Sequence, residues 1–357
     1  MNKKRLLLLS ISGLVIIIFF IFYFTKEQLG SAEKQASESK KTVISWVDKK
    51  IADEHFKGSL LLVKNQEIFY KQSYGYSNNA EKIENNLSTS YPIASLQKFI
   101  TGIVILQLIQ EKKLNENTSL KEFYPAIKDS EAITIRQLLN HTSGIVMDEM
   151  EPPVLLITQE EQMDYTLDHL EVSYKKDFYY SNANYTLLSG IISKVLKSDY
   201  ETVVQKRIIE KLDLKNTFFW DTLPKNQESP TPYQYQRKDY QTDDFLNSDK
   251  LFSSLLGAGN MFMSVEDMWQ VQKGLTDGRL FSATEYNDLA NSELGEYQAG
   301  FFYFDGLKYS EGNLGGYDTV IYGKKNEQDL VILFANQPAE NGMGNLAEQL
   351  YNRISSY

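Results

Sequence analysis

The chain of 357 residues contains no cysteine and only three histidines. The absence of cysteine excludes disulfide bonds, thiolate metal sites and a cysteine nucleophile. The histidines, His55, His141 and His169, are far apart in the sequence and form no pair with the spacing of metal ligands. A thiolate or histidine-rich metal site is therefore not expected.

Basic residues are fewer than acidic ones, and the net charge is −10. Residues 1–41 hold seven basic and three acidic residues, a balance of +4 that leaves −14 for the remainder. An acidic domain repels a phosphate backbone, so a nucleic-acid partner is not expected. The motif Gly-x-Ser-x-Gly is absent as well, which argues against an α/β-hydrolase nucleophile.

The N-terminus carries the one long hydrophobic run. Lys3-Lys4-Arg5 precedes Leu6–Phe24, a stretch without charge. About 20 such residues span a bilayer, and the basic cluster predicts that the chain after it is exported. Residues 1–24 are therefore predicted to be a single-pass anchor in the cell membrane. A cleaved signal peptide is the competing interpretation, although Gly30-Ser-Ala32 is a poor cleavage site.

Residues 25–41 are polar and rich in lysine and glutamate, as in a solvated linker. The remaining segment, 42–357, is long enough for one large domain outside the cytoplasm. Strands are predicted at 59–63, 68–74, 299–304, 307–310, 317–323 and 330–335. Helices are predicted at 43–51, 95–112, 133–139, 160–170, 185–196, 200–212, 265–275 and 345–355, with an irregular excursion at 221–250. This order indicates an α/β (α+β) fold in which one antiparallel sheet, flanked by helices, is completed by both chain ends around an inserted, mostly helical region.

The helix that follows Pro92 is apolar on nearly every side and is therefore expected to be buried. Ser95 stands at its head and Lys98 one turn later, so their side chains share a face. A helix N-terminus favours developing negative charge, and burial favours the neutral, basic form of a lysine. The alternatives are a serine that caps the helix and a lysine that extends to solvent.

The spelling Ser-x-x-Lys occurs four times, at Ser31, Ser37, Ser95 and Ser173. The first two copies lie in the polar linker, and the last lies in a hydrophilic stretch. Only the copy at Ser95 heads a long apolar helix. The sequence context therefore selects Ser95 as the candidate nucleophile.

Two motifs in order make the pattern more specific: Ser95-x-x-Lys98 and, later, Tyr180-Ser-Asn182. Segments 133–145 and 257–267 add an Asn-His-Thr-Ser-Gly stretch and a glycine-rich turn. Together these residues resemble the serine β-lactamase and penicillin-binding-protein superfamily in its class C-like branch. The resemblance covers residues 43–355 and implies a β-lactamase-like fold and acyl transfer through a serine ester.

The resemblance also implies the roles of the site residues. Ser95 would be the nucleophile, Lys98 would take or relay its proton, and Tyr180 would act with Lys98 and protonate the leaving group. Asn182 would orient Lys98 and the substrate, unless it is only a turn residue. The N–H groups of Ser95 and Asn313 would hold the oxyanion. This mechanism implies no metal and no other cofactor.

Two further positions complete these expectations. Gly312 would allow the backbone and the substrate to approach closely. His141 is a tempting general base, but we interpret it as structural because the family keeps its segment away from the chemistry.

The third motif departs from the family pattern. Where relatives carry Lys-Thr-Gly or His-x-Gly, this chain has Ser310-Glu-Gly312. The lysine or histidine helps relatives to hold the carboxylate of a penicillin or of a D-Ala-D-Ala peptide. Ser310 is expected to line the substrate site but has no charge for that task. The change places β-lactamase and carboxypeptidase activity in doubt.

The sequence therefore favours an exported, membrane-anchored esterase that acts on a cell-wall polymer. D-alanyl esters of teichoic acid fit because they offer an ammonium group and no adjacent carboxylate. Two alternatives stay open. One is a penicillin-binding protein with D,D-carboxypeptidase or weak β-lactamase activity, and the other is a wall-binding protein without catalysis.

Overall fold

The computed structural model describes residues 39–357 apart from 174, 225–228 and 243–246. The predicted anchor, residues 1–24, and most of the predicted linker lie outside these ranges. Within them, no helix has both the length and the hydropathy that crossing a bilayer requires. The anchor therefore stays a prediction.

The chain forms two compact units. The described residues of the first unit, 39–50 and 356–357, are mainly helical. Helix α1 covers residues 39–53 and includes the helix predicted for residues 43–51. The second unit, Ile51–Ser355, contains the elements that form the candidate site.

Seven strands form one antiparallel sheet in the order β10-β11-β12-β13-β14-β1-β2. The first strand of the domain thus pairs with the last one, because β1 lies between β14 and β2. This arrangement confirms the predicted sheet that both chain ends complete. The described strands are β1 (Lys57–Lys64), β2 (Glu67–Tyr74), β3 (Tyr76–Asn78), β4 (Ile83–Glu84), β5 (Tyr91–Pro92), β6 (Ile145–Val146), β7 (Glu171–Val172), β8 (Thr217–Phe219), β9 (Met261–Met263), β10 (Glu296–Gln298), β11 (Phe301–Phe304), β12 (Leu307–Leu314), β13 (Tyr317–Lys324) and β14 (Leu330–Gln337).

Helices cover the sheet and fill the region between its first and last strands. Every residue of β14 is buried, since α8 and α10 both pack against this strand. Such two-sided burial explains its continuous apolar sequence. The other helices are α2 (Gln97–Gln110), α3 (Ile135–Leu139), α4 (Gln159–His169), α5 (Asn182–Leu196), α6 (Tyr200–Val204), α7 (Asp249–Ser253), α8 (Val265–Gly274), α9 (Ala283–Ala290) and α10 (Met343–Ser355).

Helix α2 is the buried helix that the sequence predicts, since all residues from Gln97 to Leu108 are buried. Two glycines allow it to lie directly against the sheet. A Cβ atom on Gly102 would lie 2.7 Å from the carbonyl oxygen of Ala299, and one on Gly300 would lie 2.4 Å from the Cα atom of Phe99. The helix that carries Lys98 is therefore fixed relative to β11.

Several predicted boundaries were wrong, and each has a local cause. The helix predicted for 200–212 ends at Val204 and continues as a π-helical turn, Gln205–Ile209, in which Ile208 and Ile209 are both buried. The π-helical turn contains one extra residue, which rotates the side chains that follow, so both isoleucines can be buried. Residues 221–250, predicted to be irregular, end in the first residues of α7.

The strand predicted for 299–304 begins two residues late, at Phe301, as β11. Ala299 has a φ of +48° and Gly300 a φ of +105°, and these left-handed residues separate β11 from β10. Strand β12 is longer than predicted, because it continues through the third motif to Leu314. As a result, Glu311, Gly312 and Asn313 belong to a strand and not to a loop.

Candidate active site

Ser95 lies in a short 3-10 turn, Ala94–Leu96, between β5 and α2. It is not the N-cap of α2, because that position belongs to Leu96. Ala94 has a φ of +46°, a conformation that is unfavourable for a residue with a side chain. A strained residue beside a candidate nucleophile is consistent with a functional site.

The Lys98 side chain points at Ser95. Its Nζ atom donates to the Oγ atom of Ser95 and to the carbonyl oxygen of Ala258, each at 3.0 Å. Lys98 is fully buried, and this burial lowers the pKa of its ammonium group to about 7, although the charge of Glu149 acts in the opposite direction. A lysine of this pKa is neutral in a large fraction of molecules at physiological pH and can accept a proton.

Tyr180 completes the predicted trio. The Lys98 Nζ atom lies 4.8 Å from the centre of the Tyr180 ring. The residue is 40% exposed, towards the cavity, yet burial of its hydroxyl group raises the pKa of the phenol, while the nearby Ser95 and Tyr297 hydroxyls partly counteract this shift. The structure thus brings Ser95, Lys98 and Tyr180 together, with Tyr180 as a neutral phenol.

Asn182 opens helix α5, two residues after Tyr180. Its Nδ2 atom donates to the Oε2 atom of Glu149 at 2.5 Å. Its Oδ1 atom is buried and has no partner among the described residues. The contact with Glu149 differs from the expected role of Asn182, which was to orient Lys98.

The opposite wall of the site comes from β12. A Cβ atom on Gly312 would lie 2.3 Å from the carbonyl oxygen of Ile93 and 3.0 Å from the backbone nitrogen of Ser95. The Oγ1 atom of Thr319, on β13, also donates to the Ile93 carbonyl, at 3.1 Å. The close approach expected at Gly312 is therefore present, and it brings β12 against the Ser95 turn. The oxyanion site between the N–H groups of Ser95 and Asn313 stays a prediction.

Ser310 lines the cavity but is only 5% exposed. Its hydroxyl group donates to the carbonyl oxygen of Gly300 at 2.9 Å. This bond uses the only donor of the side chain and ties β12 to the start of β11. Its predicted role in substrate binding would have to compete with that bond.

The cavity beside Ser95 has a volume of about 530 Å³. Among the described residues that line it, three are acidic and none is basic. The lining residues are Ser95, Met147, Asp148, Glu149, Tyr179, Tyr180, Ser181, Asn182, Tyr297, Phe302, Tyr309, Ser310, Glu311 and Asn313. This lining favours cationic ligands over anionic ones.

A further carboxyl group lies behind this wall. Asp318 on β13 pairs with Asn313 on β12, and the Asn313 Nδ2 atom approaches the Asp318 Oδ2 atom at 3.4 Å. Burial and the neighbouring charge of Glu311 raise the pKa of Asp318 to about 8. Asp318 is therefore mostly protonated at neutral pH, while Glu311 accepts a hydrogen bond from the Tyr309 hydroxyl.

His141 lies closer to the site than we expected, since its ring centre is 4.3 Å from that of Tyr180. Its Nδ1 atom faces the backbone N–H of Ser181 at 3.3 Å and the Nδ2 atom of Asn184 at 3.1 Å. Burial, and then the charge of Lys98, hold its pKa well below the usual range. A neutral ring that accepts these bonds supports the Tyr180 segment and is poorly suited to act as a base.

Three site residues were not singled out from the sequence: Glu149, Tyr297 and Asp318. Glu149 lies in an irregular stretch after β6, and Tyr297 lies in a strand that was not predicted. Of these three residues, only Asp318 could have been located from the sequence, through the glycine pair that precedes it. Gly315 and Gly316 both have positive φ values and form a two-residue hairpin turn, which places residue 318 opposite residue 313.

Comparison with known proteins gives an independent result. The sequence profile of the Beta-lactamase family matches residues 43–349. The teichoic acid D-alanine hydrolase of Staphylococcus aureus is 27% identical over 336 residues, which are 92% of this chain and 82% of that protein. PbpX of Bacillus subtilis (strain 168), provisionally named a penicillin-binding protein, is 26% identical over 333 residues, 92% of this chain and 84% of PbpX.

A solved structure agrees with these relatives. The crystal structure of FmtA from Staphylococcus aureus matches with a TM-score of 0.78 and 26% identity, over 89% of this chain and 90% of that chain. The chain therefore belongs to the beta-lactamase family, and it is a serine hydrolase with the β-lactamase-like fold.

Proposed function

We propose that this chain is a membrane-anchored, extracellular serine esterase that removes D-alanine from teichoic acid. Residues 1–24 would anchor it, residues 25–41 would act as a linker, and residues 42–357 would form the catalytic domain. The similarity to a relative named teichoic acid D-alanine hydrolase supports the substrate. The polymer is the only partner that the proposal requires besides the membrane.

The observation that carries this proposal is the charge of the cavity. Penicillins and D-Ala-D-Ala peptides present a carboxylate near the bond that is cleaved, whereas a D-alanyl ester presents an ammonium group. Three carboxylates and no basic residue line the described cavity wall. The Ser310 hydroxyl, at the position of the usual cation, is engaged by the carbonyl of Gly300. This environment is unfavourable for a substrate carboxylate and favourable for an ammonium group.

The geometry supports a two-step acyl transfer. Neutral Lys98 accepts the proton of Ser95 as the Oγ atom attacks the ester carbonyl, and the N–H groups of Ser95 and Asn313 would stabilise the oxyanion. Tyr180, a neutral phenol, then donates its proton to the departing alkoxide and regains one from Lys98. Water hydrolyses the resulting D-alanyl-Ser95 ester by the reverse proton path. Free D-alanine and a polymer hydroxyl are the products.

The direct test is release of free D-alanine from D-alanylated lipoteichoic acid by residues 42–357. We expect release by the wild-type domain and none above background by Ser95→Ala. A matched control is Ser310→Ala, which removes a serine from the same cavity but leaves the proposed nucleophile. No release by the wild type, or equal release by Ser95→Ala, would refute the proposal.

The second candidate is a penicillin-binding protein with D,D-carboxypeptidase or weak β-lactamase activity. The juxtaposition of Ser95 and Lys98 favours it, because the same arrangement can attack an amide, and so does the provisional name of PbpX. Stable labelling of Ser95 by a micromolar fluorescent penicillin would favour this candidate. We expect no such labelling, since none of the described residues that line the cavity offers a cation to the penicillin carboxylate.

A further inference from the structure

Glu149 is the acidic residue of the cavity most directly connected to the candidate catalytic groups. It accepts a hydrogen bond from Asn182 Nδ2, and Asn182 follows Tyr180 by two residues. Its negative charge adds to the upward shift of the Tyr180 pKa and opposes the downward shift that burial causes in the Lys98 pKa. Glu149 is therefore within electrostatic reach of the groups that would carry out the reaction.

The other two acids are less suited to hold a substrate cation. Glu311 already accepts a hydrogen bond from the Tyr309 hydroxyl and faces the buried carboxyl group of Asp318. Asp148 lines the cavity but has no contact with the candidate catalytic residues among the interactions described. Asn182 adds a second acceptor beside Glu149, because its buried Oδ1 atom has no partner in the described part of the chain.

A carboxylate at this position is otherwise a disadvantage for the reaction. It opposes the negative charge that develops on the oxyanion, and it favours the protonated form of Lys98, which cannot act as a base. A bound cation would neutralise both effects. A substrate that supplies this cation would therefore react faster than a neutral substrate of the same shape.

We propose that Glu149, positioned by Asn182, binds the α-ammonium group of the acyl donor and makes the enzyme selective for aminoacyl esters. The ammonium donates to the Glu149 carboxylate, and the unpartnered Oδ1 atom belongs to the same Asn182 amide group that contacts Glu149. The inference rests on the proposed esterase activity, but it does not depend on teichoic acid as the polymer. It predicts selectivity for the acyl group, whatever alcohol carries it.

The test compares two small esters that differ only in the amino group: the D-alanyl ester and the propionyl ester of glycerol. The wild-type domain should hydrolyse the D-alanyl ester with the higher kcat/KM. Glu149→Gln keeps the size of the side chain and an acceptor for Asn182 but removes the charge. We expect it to lower kcat/KM for the D-alanyl ester roughly 10- to 50-fold. The value for the propionyl ester should stay within about twofold or rise.

Glu171→Gln is the matched control, since it removes the charge of an exposed glutamate that does not line this cavity and should leave the ratio of the two esters nearly unchanged. A wild-type enzyme without preference for the D-alanyl ester would overturn the inference. An equal fall for both esters in Glu149→Gln would also overturn it, because Glu149 would then only position Asn182. The same loss of selectivity in Glu171→Gln would overturn it as well.

The failure of this inference is distinguishable from the failure of the proposed function. Glu149-dependent cleavage of the small D-alanyl ester without release from lipoteichoic acid would support the ammonium site and refute the polymer. Release from lipoteichoic acid that is equal in the wild type and Glu149→Gln would support the polymer and refute the ammonium site. Labelling of Ser95 by a fluorophosphonate in each variant reports that the nucleophile is intact.

Discussion

The Nζ atom of Lys98 is 3.0 Å from the Ser95 Oγ atom and 3.0 Å from the carbonyl oxygen of Ala258. The Ala258 carbonyl orients the amine. Of these two contacts, only the Ser95 hydroxyl can give a proton to the amine. Since Lys98 is fully buried, its amine is held in place and is also partly neutral at physiological pH. Position and basicity thus have the same cause, which is burial.

This relationship predicts a pH-dependent nucleophile. Lys98 must be neutral to accept the Ser95 proton, so reactivity should fall as the pH drops below the Lys98 pKa of about 7 and should level off above it. The rate of Ser95 labelling by a fluorophosphonate between pH 5.5 and 9, in steps of about half a unit, measures this. Lys98→Met should lower the plateau by roughly 10²- to 10⁴-fold, whereas Lys71→Met, at the surface, should not change it. A pH-independent rate in the wild type would contradict the role of Lys98.

Gly312 is predicted to tolerate no side chain. A Cβ atom there would lie 2.3 Å from the Ile93 carbonyl oxygen, so Gly312→Ala should push β12 away from the Ser95 turn. We expect a loss of about 1–3 kcal/mol in the free energy of unfolding and a fall of more than roughly tenfold in Ser95 labelling. Gly259→Ala is the control, because its nearest neighbour would lie at an ordinary 3.4 Å. Unchanged labelling in Gly312→Ala would show that this approach is not needed.

Ser310→Ala separates a structural role from substrate binding. Its hydroxyl donates to the Gly300 carbonyl in a buried setting, so its removal should cost about 1 kcal/mol of stability in urea unfolding. The KM for the D-alanyl ester should change by less than about twofold, because the hydroxyl is not free for the substrate. A large increase in KM without loss of stability would instead assign Ser310 to the substrate.

Asp318 predicts a loss of stability as the pH rises from about 4 to 8. Its folded-state pKa of about 8 lies above the ordinary value of 3.8. The folded protein therefore retains a proton that the unfolded chain releases, and this contribution is complete below about pH 4, declines as the pH rises and is lost above about 8. Asp318→Asn should have a smaller decrease of Tm between about pH 5 and 8.5 than the wild type. Parallel decreases in the two proteins would show that Asp318 ionises normally.

The sequence was most informative where one element determines its own surroundings. An uninterrupted apolar helix must be buried, and Lys98 is buried with it, so the Ser95–Lys98 pair could be found from its spacing together with the apolar helix that follows. The single antiparallel sheet that both chain ends complete was also predicted, from strands at both ends of the domain. Tyr180 could be selected among 23 tyrosines only through its motif, since no local property distinguishes it.

Residues whose position depends on tertiary contacts could not be found in this way. Glu149 follows the two-residue strand β6 in an irregular segment, and no periodicity predicts that it meets Asn182. The same holds for His141. Its neutral ring lies against Tyr180 because α3 and α5 pack together, and sequence spacing carries no information about that packing.

The position of β1 between β14 and β2 has a consequence for biogenesis. Leu60–Val63 remain without their β14 partners until the C-terminal strands have left the ribosome, so the sheet cannot close during synthesis. A chain that stays open for so long is a suitable substrate for export in an unfolded state, but it also exposes apolar strands to aggregation until its last residues arrive. Removal of a few residues from the C-terminal strand should therefore disrupt the sheet next to its first strand, at the opposite end of the sequence.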